Sequence, residues 1–281
     1  MPFGTFSFGG HYQYLMLHVT VLPPQPIAGT RPLLAFHGIG QTGPECYAPL
    51  AEQWSEHYTV YAFDLYFHGR QASTAPIDAS QAISKKQLAE QISTFLQKEG
   101  IDRFDVIGFS IGGRFAMATL EAFADRIDKA YLIAPDGVSE HPVYHMATRW
   151  PLGRLILKRQ MTHPQLFFKL VRGLKNIGLV NKSLLRFTEQ IMNTNTKRLR
   201  LYNAWVGFRR LRFDIPAWYV QIARQPVELY LIVGEYDKLL KPSAVKPLAK
   251  LLPHDHFLIL PGGHTTVVDK AVVYLSREGI I

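Results

Sequence analysis

The chain of 281 residues contains one cysteine, Cys46. A single thiol excludes an internal disulfide framework and any metal site built from several cysteines. No stretch of about 18 uninterrupted apolar residues occurs, so no transmembrane helix is expected. The opening segment, MPFGTFSFGG, has neither a basic n-region nor a long apolar core, so no secretory leader is expected. Internal repeats and low-complexity tracts are missing as well, and 47% hydrophobic residues argue against wholesale disorder. These absences lead to the expectation of a cytoplasmic-type soluble protein. Its length suits one large domain or a core with an inserted subdomain.

Acidic residues are scarce in one region. From Arg149 to Arg212 fifteen Lys and Arg stand against a single acid, Glu189, a local charge of +14. The whole chain carries +9, so the remainder is mildly acidic at −5. A shift this sharp predicts a separate module over residues 140–215, set into a body formed by 1–139 and 216–281. Pro142 and Pro216 stand near its edges as loop punctuation.

Both flanks alternate between strand and helix patterns. Tyr12–Leu22 reads as a strand or hairpin cut off by Pro23 and Pro24. Leu33–Phe36, Thr59–Phe63, Phe104–Phe109, Ala130–Ala134, Val227–Val233 and His256–Leu260 read as buried strands. Ser84–Glu99 reads as an amphipathic helix, with Leu88, Ile92, Phe95 and Leu96 at helical spacing. Further helices are expected after Gly112 to about Phe123, over Ser243–Leu251 and over Thr266–Arg277. Strands about 25–45 residues apart with helices between them predict an α/β fold, a mostly parallel, doubly wound sheet covered on both faces.

Three motifs carry chemistry. Gly108-Phe109-Ser110-Ile111-Gly112 fits G-x-S-x-G between an apolar strand and a helix. Such a turn lifts the serine clear of the sheet above a helix N-terminus, which favours negative charge. The residues two before and two after the serine crowd each other, and glycine relieves the clash. Asp237 lies in Gly234-Glu235-Tyr236-Asp237, just after a buried strand. His264 lies in Gly262-Gly263-His264, between the last strand and the last helix. The order Ser110, Asp237, His264 is that of a nucleophile, an orienting acid and a general base, all just past the carboxyl ends of parallel strands. The bland alternative leaves Asp237 and His264 as polar loop residues.

With these motifs in place, the chain resembles the α/β-hydrolase superfamily, in its capped, esterase- and lipase-like branch, over roughly Arg31–Asp136 and Val227–Leu275. His37-Gly38-Ile39-Gly40 resembles the family's oxyanion loop. The resemblance implies an oxyanion hole from the backbone N–H groups of Ile39 and Ile111, with His37, Gly38, Gly108 and Gly112 as structural parts. Asp64-Leu65-Tyr66-Phe67-His68-Gly69-Arg70 is similar to the family's D-x-x-G-H-G-x-S segment. It departs in two places: Phe67 stands where glycine is usual, and Gln71-Ala72-Ser73 follows in place of an immediate serine. A locally altered loop is expected there, with Asp64 structural. Asp136 is an alternative acid, because some family members keep theirs after the strand that follows the elbow. The implied activity is cleavage of a carboxylic ester or thioester through an acyl-serine, with an apolar acyl pocket under the cap and no cofactor. Lactonase, carbon–carbon hydrolase, peptidase and acyltransferase chemistries share the triad, and a non-hydrolytic binding protein on the same fold is the alternative from another class. A serine at the elbow argues against dehalogenase and epoxide hydrolase chemistry.

The remaining histidines are expected to be structural. His37 and His68 hold loops by hydrogen bonds. The pairs His141/His145 and His254/His256 lack an obvious third ligand, so no metal site is expected. Cys46 is expected to be a buried structural residue. In the basic module Pro164–Lys175, Leu184–Met192 and Lys197–Phe213 read as helices whose apolar faces meet the pocket and whose basic faces point outward. Either the charge is a plain solvated face, or it docks an anionic membrane as a peripheral protein, an acidic carrier or an anionic substrate. Nucleic acid is not expected as a partner, because no binding motif accompanies the charge.

Overall fold

Short apolar runs become stable strands only when both of their faces are covered. In the computed structural model they form the middle of a seven-stranded sheet. The structure describes residues 17–73, 75–140, 142–165 and 192–281, with positions 169, 173 and 189 between them. The expected helices Pro164–Lys175 and Leu184–Met192, most of the Tyr12–Leu22 segment's first half, and His141 lie outside the described residues, apart from isolated positions. The strands are β1 (His18–Leu22), β2 (Arg31–Phe36), β3 (Tyr58–Asp64), β4 (Phe104–Phe109), β5 (Ile127–Ile133), β6 (Glu228–Gly234) and β7 (Phe257–Leu260), in the order β1-β3-β2-β4-β5-β6-β7. β1 runs antiparallel to β3, and all other pairings are parallel. This is the expected α/β, mostly parallel, doubly wound sheet.

Helices close both faces. α1 (Gly43–Gln53) and the C-terminal helix, Val267–Arg277, cover one face around Tyr47, Trp54 and Val267. α2 (Lys85–Glu99) and α3 (Gly112–Phe123) cover the other, around Ile92, Phe115 and Leu120. Leu88, Ile92, Phe95 and Leu96 are all buried, as their spacing predicts. Ser84 caps α2 in a capping box with Gln87, and Gly100 ends it at φ +65. α1 is a helix that the sequence reading missed. Its start signal is Thr42, whose hydroxyl accepts the Glu45 N–H while the Glu45 carboxylate accepts the Thr42 N–H.

Between β5 and β6 the described chain is helical: α4 (Pro142–Arg149), α5 (Pro151–Thr162), α6 (Asn195–Gly207) and α7 (Ile215–Ile222). Pro142 and Pro216 open α4 and α7 and are not loop punctuation. A first-turn proline loses no hydrogen bond and presets the helical φ. The expected Lys197–Phe213 helix starts earlier, capped by Thr194, and stops at Gly207. There the chain turns inward to bury Phe208 and Leu211, and the Gly207 carbonyl accepts the Ile83 N–H at 2.9 Å. The expected helix Ser243–Leu251 is a 3₁₀ turn, Pro242–Val245, followed by the single-turn α8, Lys246–Ala249. Pro247 has no N–H to give Ser243, which breaks a continuous ladder. The last helix, Val267–Arg277, is α9.

Candidate active site

Ser110 stands between β4 and α3 in the left-handed region, at φ +53. That costs a non-glycine residue about 1–3 kcal/mol, so the surroundings must hold it. They do so through the backbone. The Ser110 N–H donates to the Ile133 carbonyl at 3.0 Å, and its carbonyl accepts the N–H groups of Asp136 (2.8 Å) and Gly113 (2.9 Å). A Cβ on Gly108 would come within 2.7 Å of the Gly112 carbonyl oxygen and 2.6 Å of the Ala116 Cβ. A Cβ on Gly112 would collide with the Phe36 carbonyl at the end of β2. Both positions therefore require glycine, Gly108 on the expected ground of crowding by Gly112, and Gly112 because the end of β2 lies against it.

The ends of β6 and β7 bring the other two residues to this point. The His264 Nε2 lies 3.0 Å from the Ser110 Oγ, and its Nδ1 lies 2.6 Å from Asp237 Oδ2. A carboxylate only accepts, so Nδ1 carries the ring proton and Nε2 is left to accept from the serine hydroxyl. Asp237 has a fully buried side chain, and its Oδ1 accepts the N–H groups of Leu239 (2.8 Å) and Leu240 (2.9 Å). Those bonds fix the carboxylate and offset its desolvation. The Phe109 ring packs on the imidazole, 5.1 Å between centroids.

Asp136, the alternative acid, is engaged elsewhere: it receives Arg114 Nε at 2.7 Å and Nη2 at 3.1 Å. Ile111 follows the serine and Ile39 lines its cavity, and no acceptor is found for either N–H among the described residues. His37 is buried and holds the loop between β2 and α1. Its Nδ1–H donates to the Gly38 carbonyl at 2.7 Å, and its Nε2 accepts the Leu65 N–H at 3.0 Å. Burial lowers its pKa to about 4. His68 is likewise held neutral by burial, and its Nδ1 meets the Tyr66 carbonyl at 2.9 Å. Asp64 accepts the Gly43 N–H at 2.8 Å. Cys46 is buried, and burial pushes its thiol up to about 12, so it stays protonated. Among the described residues no group of three His, Cys, Asp or Glu is placed to hold a metal, and no helix is long and apolar enough to cross a membrane.

The altered loop keeps a glycine-like backbone: Phe67 has φ +68. Its ring stacks on Phe208 at 5.9 Å and presses against Gly207, so the departure from the family pattern is used to fasten this loop to the end of α6.

Ser110 and His264 line a cavity of about 270 Å³ together with Ile39, Gln41, Phe109 and Leu201. Two further lining residues, Lys197 and Arg200, correct the expectation that the basic faces of this segment point outward. They share a face of α6 with Leu201, at a spacing of three and four residues, and Leu201 is the residue that the core draws inward. The spacing was available in the sequence. Which face meets the serine was not.

The family described as alpha/beta hydrolase fold matches residues 31–271. Mouse 1-acylglycerol-3-phosphate O-acyltransferase ABHD5 is 29% identical over 123 residues, 44% of this chain and 34% of that protein. An abhydrolase domain-containing protein of Caenorhabditis elegans, abhd-5.2, is 25% identical over 117 residues, 41% of this chain and 26% of that protein. The chain thus spans about a third or less of the curated relatives it matches. Among solved structures, a hydrolase from Pseudomonas aeruginosa PA01 superposes with a TM-score of 0.61 at 20% identity, over 97% of this chain and 100% of that one. The enol-lactonase from Burkholderia xenovorans LB400 superposes with a TM-score of 0.60 at 17% identity, over 93% and 94%. With the family matched over most of its length and the same fold in these structures, the chain belongs to the α/β-hydrolase fold family.

Proposed function

We propose that the chain is a serine hydrolase that cleaves carboxylic esters or thioesters through an acyl-serine intermediate. The observation that carries this reading is the run of hydrogen bonds from Asp237 through His264 to Ser110 at the wall of an accessible cavity. The Ser110 Oγ attacks the acyl carbon while His264 Nε2 takes its proton, and the tetrahedral oxyanion forms against the N–H groups of Ile39 and Ile111. His264 returns the proton to the leaving oxygen or sulfur, and the C–O or C–S bond breaks. Water, deprotonated by His264, then releases the acid and restores the serine. Asp237 holds the imidazole tautomer and stabilises its charged form. Each oxyanion donor contributes roughly 10²–10³ in rate, by analogy with other acyl transferases of this kind.

A second reading is transfer of the acyl group to an alcohol in place of water. It is favoured by the local likeness to proteins named 1-acylglycerol-3-phosphate O-acyltransferase. It uses the same acyl-serine and differs only in the acceptor.

The test joins a fluorophosphonate probe to a panel of p-nitrophenyl esters of rising chain length, with Ser110→Ala beside the wild type. Labelling at Ser110 and turnover that falls by several orders of magnitude in Ser110→Ala are expected. Folded protein that neither labels nor turns over any ester would make the chain a binding protein on this fold. Product partitioning toward a glycerol ester when glycerol is added would favour acyl transfer.

A further inference from the structure

The basic stretch spends most of its described arginines on the chain itself. Arg149 pairs with Glu140 at 2.6 Å. Arg198 donates to the carbonyls of Met161 (2.8 Å) and Met192 (3.0 Å). Arg154, Arg209 and Arg210 likewise brace backbone carbonyls. Arg200, like Arg210, makes one bond at 3.3 Å, from Nη1 to the Gly40 carbonyl, but among the described residues its Nε alone in this stretch is buried without a partner. Among the described residues no carboxylate pairs with it.

Arg200 also lines the cavity that contains Ser110, with Lys197 one turn away on the same face of α6. Among the described residues none that lines the cavity is acidic. Phe109, Ile39 and Leu201 supply apolar wall, which strengthens any charge interaction inside. A buried guanidinium nitrogen with no acceptor is costly, and an oxyanion that accepts from Nε and a terminal nitrogen together is the geometry that satisfies the fork.

We propose that the substrate carries an oxyanion, a carboxylate or a phosphate, which Arg200 binds side-on with Lys197 adding positive charge. Gly40, which Arg200 touches, adjoins Ile39, so the anion lies a short distance from the reacting carbonyl. As a statement about substrate this rests on the hydrolase reading. As a statement about an anion site it does not.

The test uses three aryl esters: p-nitrophenyl pentanoate, p-nitrophenyl hydrogen glutarate with the charge on the acyl side, and 3-carboxy-4-nitrophenyl pentanoate with the charge on the leaving side. The wild type is expected to prefer one charged ester over the neutral one by roughly 10–100-fold in kcat/KM, mostly through KM. The preferred ester tells on which side the anion sits. Arg200→Gln should bring that ratio close to one, and Arg200→Lys should keep part of it, having the charge without the fork. Two results overturn the proposal: no preference for either charged ester, or an equal loss on all three esters in Arg200→Gln. The latter would mean that Arg200 only holds the Gly40 loop.

Calorimetry with glutarate and with inorganic phosphate, on wild type, Ser110→Ala and Arg200→Gln, separates this from the hydrolase reading and tells carboxylate from phosphate. If no ester is cleaved but one anion binds and Arg200→Gln abolishes that binding, the hydrolase reading falls and the anion site stands. If no ester is cleaved and neither anion binds, both fall.

Discussion

Ser110 is held in a left-handed backbone by three hydrogen bonds, with Ile133 in β5, Asp136 just after it and Gly113 in α3. In the proposed hydrolase the serine's reactivity depends on an imidazole that carries its proton on Nδ1. Asp237→Asn is expected to leave the fold intact and lower kcat on p-nitrophenyl esters by about 10⁴, because the amide can stabilise the wrong tautomer and carries no charge. His37 yields a stability prediction. Burial lowers its folded pKa from 6.5 to about 4, so between those values the unfolded chain binds a proton that the folded chain refuses. Stability therefore falls as pH drops through that window, by roughly 3 kcal/mol over its whole width, with buried His68 acting in the same direction. Denaturant midpoints at pH 7 and pH 5 check this, since carboxylates have hardly begun to titrate at pH 5. A flat profile would contradict it. Ser110, Asp237 and His264 were legible in the sequence because each sits in a short motif next to a strand end. Which acid stands beside His264 was not legible: Asp237 lies 2.6 Å from its Nδ1, whereas Asp136 is taken up by Arg114 from 22 residues away.

At the scale of elements, Gly207 ends α6 where the Phe67 ring presses on it. A Cβ there would come within 2.6 Å of that ring. Gly207→Ala is expected to destabilise the protein by about 1–3 kcal/mol in denaturant unfolding, despite alanine's better helix propensity, because the ring is fixed by Phe208. α5 has two unlike faces. Leu157 and Met161 are buried, whereas Leu152, Leu155 and Ile156 are more than half exposed. Leu157→Ala should cost about 2–4 kcal/mol, and Leu155→Asp should stay within about 0.5 kcal/mol in the same measurement. The sequence reading found α2 and α9 from their apolar spacing and missed α1, α4, α5 and α7. α4 and α7 carry Pro142 and Pro216 in their first turns, which read as loop punctuation, and α5 leaves Leu152, Leu155 and Ile156 exposed beside Arg154, Lys158 and Arg159, so its apolar residues mark no single buried face. The signal for α1 and α7 was the cap, Thr42 and Asp214, and not the apolar pattern.

At the scale of the whole molecule, a buried cation ties the two ends of the helical stretch between β5 and β6 to α3. Arg114, 1% exposed on α3, bonds Asp136 and Glu140 at the start of that stretch and the Leu211 carbonyl near its end. Glu140 in turn gathers Arg149 and Arg212. Arg114→Met is expected to cost about 3–5 kcal/mol, read as a lower denaturant midpoint, since it leaves Asp136 partly buried without its cation and takes one of three cations from Glu140. The sequence by itself determined the alternation of strand and helix, the elbow, the chain order of Ser110, Asp237 and His264, and the concentration of charge in one stretch. All of these are local patterns, set by the spacing of neighbouring side chains. Only the tertiary structure decided which acid meets His264, how the loop keeps its turn with Phe67 in place of a glycine, and which described cations of the +14 stretch line the cavity with the serine. Those outcomes depend on contacts between segments 20 to 160 residues apart, and no local spacing encodes the direction in which a packed helix turns its faces.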